Sequence, residues 1–362
     1  MEKNMKAKKI LTAITLATLI TTSTPIFAYA DQFNVVTLGE NLTKEQKDNM
    51  LKYFNAKEGT YQLITVNNKE EREALKGIAT PAEIGSKTIS CSYVQPTKAG
   101  SGINVKTVNL TWVTASMISN TLVTAGINDA NVIAAAPFQV SGTGALTGIL
   151  KGFEDSTGKE LNKEKKELAN KELVTTGNIA KDENVGQEKA AGVVNDVKTE
   201  VIKDKVKDPE QINNIINNVT NNYKIELSKE QQQELNDLMV KIGKQGYNYD
   251  ELKSTLNDIG ENIKNTLQES GQAIKDSGFF QNLWNGIKNF FSGDKEDNKS
   301  EQSENVGILN ETNNEALGDN AVVTGNNKNI EGVTDQNNEA NTKQNDEGII
   351  NKIVNWFKGL FN

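Results

Sequence analysis

Chemistry in this chain is limited first by a missing residue type: among 362 residues there is no histidine, and the only cysteine is Cys91. Without imidazole there is no Ser-His-Asp or Cys-His nucleophile system, no His-ligated zinc or haem, and no side chain that titrates near neutrality unaided. A lone cysteine rules out an internal disulfide and a multi-cysteine metal site. In the alternating run KTISCSYV it reads as a small buried residue. Catalysis would then need paired carboxylates, a Ser-Lys pair or a tyrosine. Glu83, Asp129, Glu154 and Asp155 are scattered over loops and helix ends, where they read as caps and solvated faces. No metal and no cofactor is expected.

Two constellations are candidates for binding. Ser141, Gly142, Thr143 and Gly144 follow a strand pattern and precede a helix pattern, so backbone N–H groups there are candidates to face an anion, with two hydroxyls alongside. The stretch lacks the Gly-Lys-Ser/Thr of a P-loop, and its glycine spacing is not the dinucleotide fingerprint. Tyr93, Trp112 and Thr114 lie on or beside strand-like runs and are candidates to line a groove for an extended peptide or glycan, or else to fill the core.

The elements that must hold these residues are partly legible. LTKEQKDNMLKYF reads as a helix capped by Thr43 with Gln46 in the capping-box position. From Tyr61 the pattern reads strand 61–66, helix 69–76, strand 87–94, a turn in PTKAGSG, strand 103–112, helix 115–125 and strand 131–136. This order, βαββαβ, predicts an α+β fold whose first part is a ferredoxin-like, split-βαβ sandwich. After residue 144 the apolar period becomes helical, with Ile212, Ile215, Ile216 and Val219, then Leu235, Leu238, Met239 and Ile242, and a further stripe from Leu252 to Ile263.

Both ends carry other signals. Lys3, Lys6, Lys8 and Lys9, an apolar run from Ile10 to Phe27, and Ala28-Tyr29-Ala30 have the order of a secretory signal peptide, so cleavage is expected after Ala30. Near the other end, Phe279, Phe280, Leu283, Trp284, Ile287, Phe290 and Phe291 share their spacing with Ile349, Ile350, Ile353, Val354, Phe357, Leu360 and Phe361. Each set predicts an amphipathic helix for a membrane interface or a hydrophobic groove. The surface-binding candidates are Phe279, Phe280, Trp284, Phe290, Phe291, Trp356, Phe357 and Phe361.

Of the net charge of −8, residues 292–348 account for −9, with thirteen acidic and four basic side chains. That composition predicts a disordered tether. Residues 31–291 carry only −4, so there is no basic surplus for nucleic acid. The expected divisions are a signal peptide 1–30, an α/β domain 31–155, a helical domain 156–276, an aromatic amphipathic helix 277–291, an acidic Asn-rich tether 292–347 and a C-terminal amphipathic helix 348–362.

The stretch INVKTVNLTWVTASMISNTLVTAGINDANVIAAAPFQVSGTGALTGILKGFE, with TVNNKEEREAL before it and KKELANKELVTTG after it, resembles the YpuA-like secreted family. The likeness runs from about Asn34 to about residue 260. It implies an exported protein, and it brings no activity, substrate, cofactor or catalytic residue, because the family is itself a domain of unknown function. Cys91 stands where similar proteins usually show Ser, and Gly144 where Ala is commoner, so neither a thiol nor that glycine is expected to carry a family function.

Together these readings predict a secreted, Gram-positive cell-envelope protein. Its expected role is noncatalytic binding of an envelope component, the membrane surface or another protein, with retention by the C-terminal helices. The alternative is a histidine-free envelope enzyme such as a carboxylate-dependent hydrolase. Two convergent carboxylates of shifted pKa in a cleft would favour the enzyme.

Overall fold

A computed structural model describes residues 33–182, 184–272, 306–318 and 321–333. The signal-like residues 1–30 and the apolar segments 277–291 and 348–362 lie outside the described residues. The protein is α+β, with a six-stranded mixed sheet.

The chain begins with strand β1 (Asn34–Gly39), which the sequence reading missed, and helix α1 (Lys44–Tyr53). Thr43 and Gln46 form the expected capping box. There follow β2 (Tyr61–Val66), α2 (Asn68–Ala74), α3 (Pro81–Ile84), β3 (Cys91–Pro96), β4 (Ile103–Leu110), α4 (Ala115–Ala125) and β5 (Ala130–Val140). Thr114 caps α4, and Gly126 ends it in the left-handed conformation that a side chain would disfavour.

The strand order is β2-β1-β3-β5-β4-β6. A split-βαβ sandwich would place another strand between helix-linked parallel partners and would pair β3 with β4 as a hairpin. Here β1 and β2 are adjacent and parallel, β4 and β5 likewise, and β5 sits between β3 and β4. The ferredoxin-like order is therefore not what forms, because the unforeseen β1 supplies the partner for β2.

Helices α5 (Ala145–Thr157), α6 (Lys163–Ala180), α7 (Gly186–Lys203), α8 (Pro209–Tyr223), α9 (Lys229–Lys244) and α10 (Tyr249–Glu269) complete the body. Asp208 caps α8 ahead of Pro209, as its sequence foretells. The division at residue 155 does not separate two cores. One apolar cluster runs from Val94, Val105 and Val132 on the sheet through Ile118 and Ile149 to Leu173, Val194, Leu238 and Ile259. α5 lies close on the sheet because Gly148 and Gly152 leave room for Thr37 and Val35.

The opposite face of the sheet holds a second core of Val36, Leu38, Cys91, Tyr93, Val108 and Ile133 beneath Met50, Tyr53 and Phe54 of α1 and the residue that follows it. Burial pushes the Cys91 thiol up to about 12, so little thiolate exists at neutral pH. A thiol reagent should label native protein far more slowly than denatured protein. Rapid native labelling would contradict this placement.

That second core is closed by a segment expected to be tether. Residues 306–318 and 321–333 form a strap with two short 3-10 turns, Gly307–Leu309 and Asn314–Leu317, and strand β6 (Val323–Gly325), which pairs antiparallel with β4. Val306, Ile308, Leu309, Val323 and Ile330 are buried against the sheet. Its asparagines serve the fold as hydrogen-bonding groups. Asn326 accepts from Val105 N and donates to Ile103 O and Ser119 Oγ at 2.7–2.9 Å. Asn327 donates to Asn104, Asn104 to Asn131, and Asn131 to Gln95, giving a row of amides across three strands. Asn109, at φ 58°, bonds Val322 through both its backbone and its side chain. Within 292–347, residues 306–318 and 321–333 carry a few well-placed apolar residues and amides with strand partners that the average composition hides.

Beneath the strap, Lys106 is buried and donates to Leu309 O, Thr312 Oγ1 and Glu331 O at 2.8–3.1 Å. Burial lowers its pKa to about 8, with the Glu331 carboxylate pulling the other way.

Candidate functional site

The Ser141–Gly144 loop joins β5 to α5 and is tied down by Ser141 O, which accepts from Trp112 N and Val113 N. Gly142 adopts φ 88°, a conformation suited to glycine. The Ser141 and Thr143 hydroxyls lie 3.4 Å apart. An anion approaching Gly144 meets a carboxylate already there: a methyl group added at Gly144 would overlap the side chain of Glu71 from α2. Burial pushes Glu71 up to about 7, against the hydrogen bond from Asn68. The loop thus packs against an internal acid, and sequence could not reveal this because Glu71 lies far from Gly144 in the chain.

Tyr93, Trp112 and Thr114 do not converge. Tyr93 belongs to the core beneath α1 and accepts from Asn34 through its hydroxyl. Trp112 packs on the other side, where its indole fills the notch left by Gly177 of α6. Thr114 is the cap of α4. The scattered acids have local partners: Glu83 pairs with Lys181 at 3.0 Å, Glu154 with Lys166 at 2.7 Å, Asp129 accepts from Gly102 N, and Asp155 from Gln62.

Several of the carboxylates with raised pKa values, Asp196, Glu188 and Glu172, sit between helices, whereas Asp129 is raised by burial in the turn before β5 and Asp258 of α10 is raised by burial to about 6. Asp196 accepts from Tyr223 Oη at 2.9 Å and is pushed up to about 7 by burial. Glu188, also raised by burial, accepts from Ser116. The Tyr223 ring has room because residue 192 is glycine. Farther along, Lys198 of α7 donates to Glu172 Oε1 of α6 at 2.8 Å, Thr124 Oγ1 of α4 at 3.1 Å and Asn120 O at 2.7 Å. Thr124 donates to the other Glu172 oxygen at 2.5 Å. Burial raises Glu172 and lowers Lys198, while each opposes the shift of the other. These groups pin α4, α6, α7 and α8 together, and they line neither of the depressions described next.

Among the described residues, depressions open to solvent and large enough to take a ligand include two of interest. One, of about 550 Å³, is lined by Lys203, Lys205 and Lys207 together with Tyr247 and Tyr249. The larger, of about 910 Å³, lies where the α2–α3 turn meets α6 and α9. It presents Glu70, Glu73, Glu164, Glu167 and Glu234 with Lys76, Lys163, Lys171 and Lys241 around a floor containing Leu168 and Ile78. Burial alone would raise Glu70, but the bond from Lys151 helps to draw it below the usual carboxylate range. Such a surface matches a ligand carrying both signs of charge. Among the described residues no group of three or more His, Cys, Asp or Glu side chains is placed to hold a metal. No described helix is long and apolar enough to cross a membrane.

The comparisons with known proteins agree with the sequence resemblance. No solved structure matches the chain. It is 33% identical over 291 residues to the Bacillus subtilis protein called "Uncharacterized protein YpuA", covering 78% of this chain and 99% of that one. Residues 38–259, from the end of β1 into α10, match the family described as "Protein of unknown function (DUF1002)". With that match and that relative, the chain belongs to the DUF1002 family.

Proposed function

We propose that this is an exported, noncatalytic envelope protein that binds a peptide-like or polymeric ligand carrying both amine and carboxylate groups. The observation that carries this reading is the large groove at α2, α6 and α9, with its interleaved lysines and glutamates. Its opposite charges favour an amphoteric chain and disfavour a purely anionic one. The signal-like amino terminus supports the location, and the two apolar repeats flanking the strap support retention at the cell surface.

The test is cosedimentation with purified Gram-positive cell-wall sacculi and, separately, with anionic lipid vesicles. Lys171→Glu combined with Lys241→Glu should reduce sacculus binding roughly tenfold, the equivalent of about 1.4 kcal/mol. The strap should stay in place. Ending the chain at Val333 or replacing Trp356 and Phe357 with Ser should reduce vesicle binding instead. If the groove variant binds sacculi as the parent does, the groove is not the ligand site. Unchanged vesicle binding after truncation would remove the retention role.

A further inference from the structure

The two outer strands of the sheet are treated differently. At one edge β6 is three residues long and belongs to the strap. At the other, β2 is six residues long, runs in unbroken register with β1, and has no described strand on its outer side. Its sequence, YQLITV, contains no charge, proline or glycine. Edge strands are ordinarily guarded by one of these or by a bulge, because an open row of N–H and C=O groups templates pairing. Leu63 in the middle of β2 is 50% exposed, and Phe33, one residue before the Asn34–Tyr61 pair, is 38% exposed.

The direction of the β2 backbone groups is fixed by one bond. Val66 O accepts from Glu40 N at 2.9 Å, so the even-numbered residues Gln62, Ile64 and Val66 face β1. The odd-numbered Tyr61, Leu63 and Thr65 therefore aim N–H and C=O outward. Lys151 Nζ, which donates to Thr65 O at 2.8 Å, confirms the outward side and leaves that oxygen a second lone pair.

We infer that β2 is a pairing edge for a second copy of this chain. A twofold axis normal to the sheet and midway between the two Leu63 residues sets Leu63 opposite Leu63 of the other copy and Tyr61 opposite Thr65. Each of these is a pair of outward-facing residues, so all three positions exchange hydrogen bonds with no register slip. The same axis keeps the two sheets face-matched and places the two exposed leucines side by side. The strand itself carries no charge to repel its copy, and the Lys151 ammonium beside Thr65 is paired with Glu70 at 2.5 Å. One strand pair buries less than the roughly 1,200 Å² of a stable interface, so the dimer is concentration-dependent.

Sedimentation equilibrium of the mature chain should show association that rises with concentration. Leu63→Pro removes only an outward N–H from each copy and should weaken association roughly 10- to 100-fold, with an unchanged circular dichroism spectrum. Ile64→Pro, whose N–H faces β1, should instead disturb the fold. Leu63→Cys should cross-link two copies on mild oxidation, since hydrogen-bonded antiparallel partners stand about 5.5 Å apart at Cα. Lys57→Cys should not. A monomer at every concentration, with no cross-linking of the Leu63→Cys variant, overturns the inference. So does association that appears only when the chain is ended at Val333, because the edge would then belong to its own C-terminal residues.

Discussion

Replacing Lys198 with Met is expected to lower the unfolding free energy by about 3–5 kcal/mol, the usual result of stranding one member of a buried ion pair. The loss is large because the Nζ group ties α7 to two other helices, through Asn120 O and Thr124 on α4 and Glu172 on α6. Both charged side chains are fully enclosed. Without the ammonium, Glu172 must stay ionised in an apolar setting or take up a proton, and Asn120 O loses a donor. Adding Glu172→Leu to Lys198→Met should return a good part of the loss, since two apolar groups need no partners. Urea unfolding of both single variants and the double variant checks this. Additive losses would mean that the pair is not coupled.

The second large effect is expected at the strap. Asn326→Ala removes the acceptor for Val105 N and a donor for Ile103 O in a place closed to water. Each orphaned group costs about 1–3 kcal/mol. Leu309→Ala should cost about 2–5 kcal/mol through the cavity it leaves. Ending the chain at residue 305 removes the strap entirely and should expose the apolar face over β4 and β5, seen as binding of a hydrophobic dye. Ending it at Val333 should not. Strap stability also carries a pH signature. Lys106 has a pKa of about 8 when folded, against about 10.4 in an unfolded chain, so the unfolded state binds more protons between those values. Stability should therefore rise with pH from about 8 to about 10.4 and level off below about 8, where both states hold the proton. Wild-type stability in Asn326→Ala would show that the strap does not hold the body together, and a flat profile would show that Lys106 is not shifted in the folded state.

The sequence disclosed what local chemistry decides. Thr43 with Gln46, Thr114 with Met117 and Asp208 with Gln211 each mark a helix start by a bond between residues three positions apart, and Gly126 marks the end of α4 by its left-handed backbone. YQLITV is a strand with the bounds its alternation and flanks indicate. Long-range choices were not legible. β1 precedes the first clear turn signals, and without it β2 lacked its partner, which led to the wrong strand order. β6 hides in a segment whose polarity suggested solvent, because nothing local tells an asparagine that faces water from one that serves Val105. The candidate loop suffered the same way, since its neighbour Glu71 is brought there by packing. The two apolar repeats are visible in sequence, and their setting lies beyond the described residues.

The strap also imposes an order of events. Its contacts with Lys106, Asn104 and Val105 join residues 203 to 225 positions apart, so β4 exists as a strand long before its last neighbour is available. At a synthesis rate of about 5–20 residues per second, that delay is on the order of 10–45 s. During it, the face bearing Val108 and Ile133 has no cover from residues 306–333. A chain emerging amino terminus first therefore passes through a prolonged incomplete state, in which a holding chaperone has an apolar surface to grasp and premature closure of the sheet is postponed.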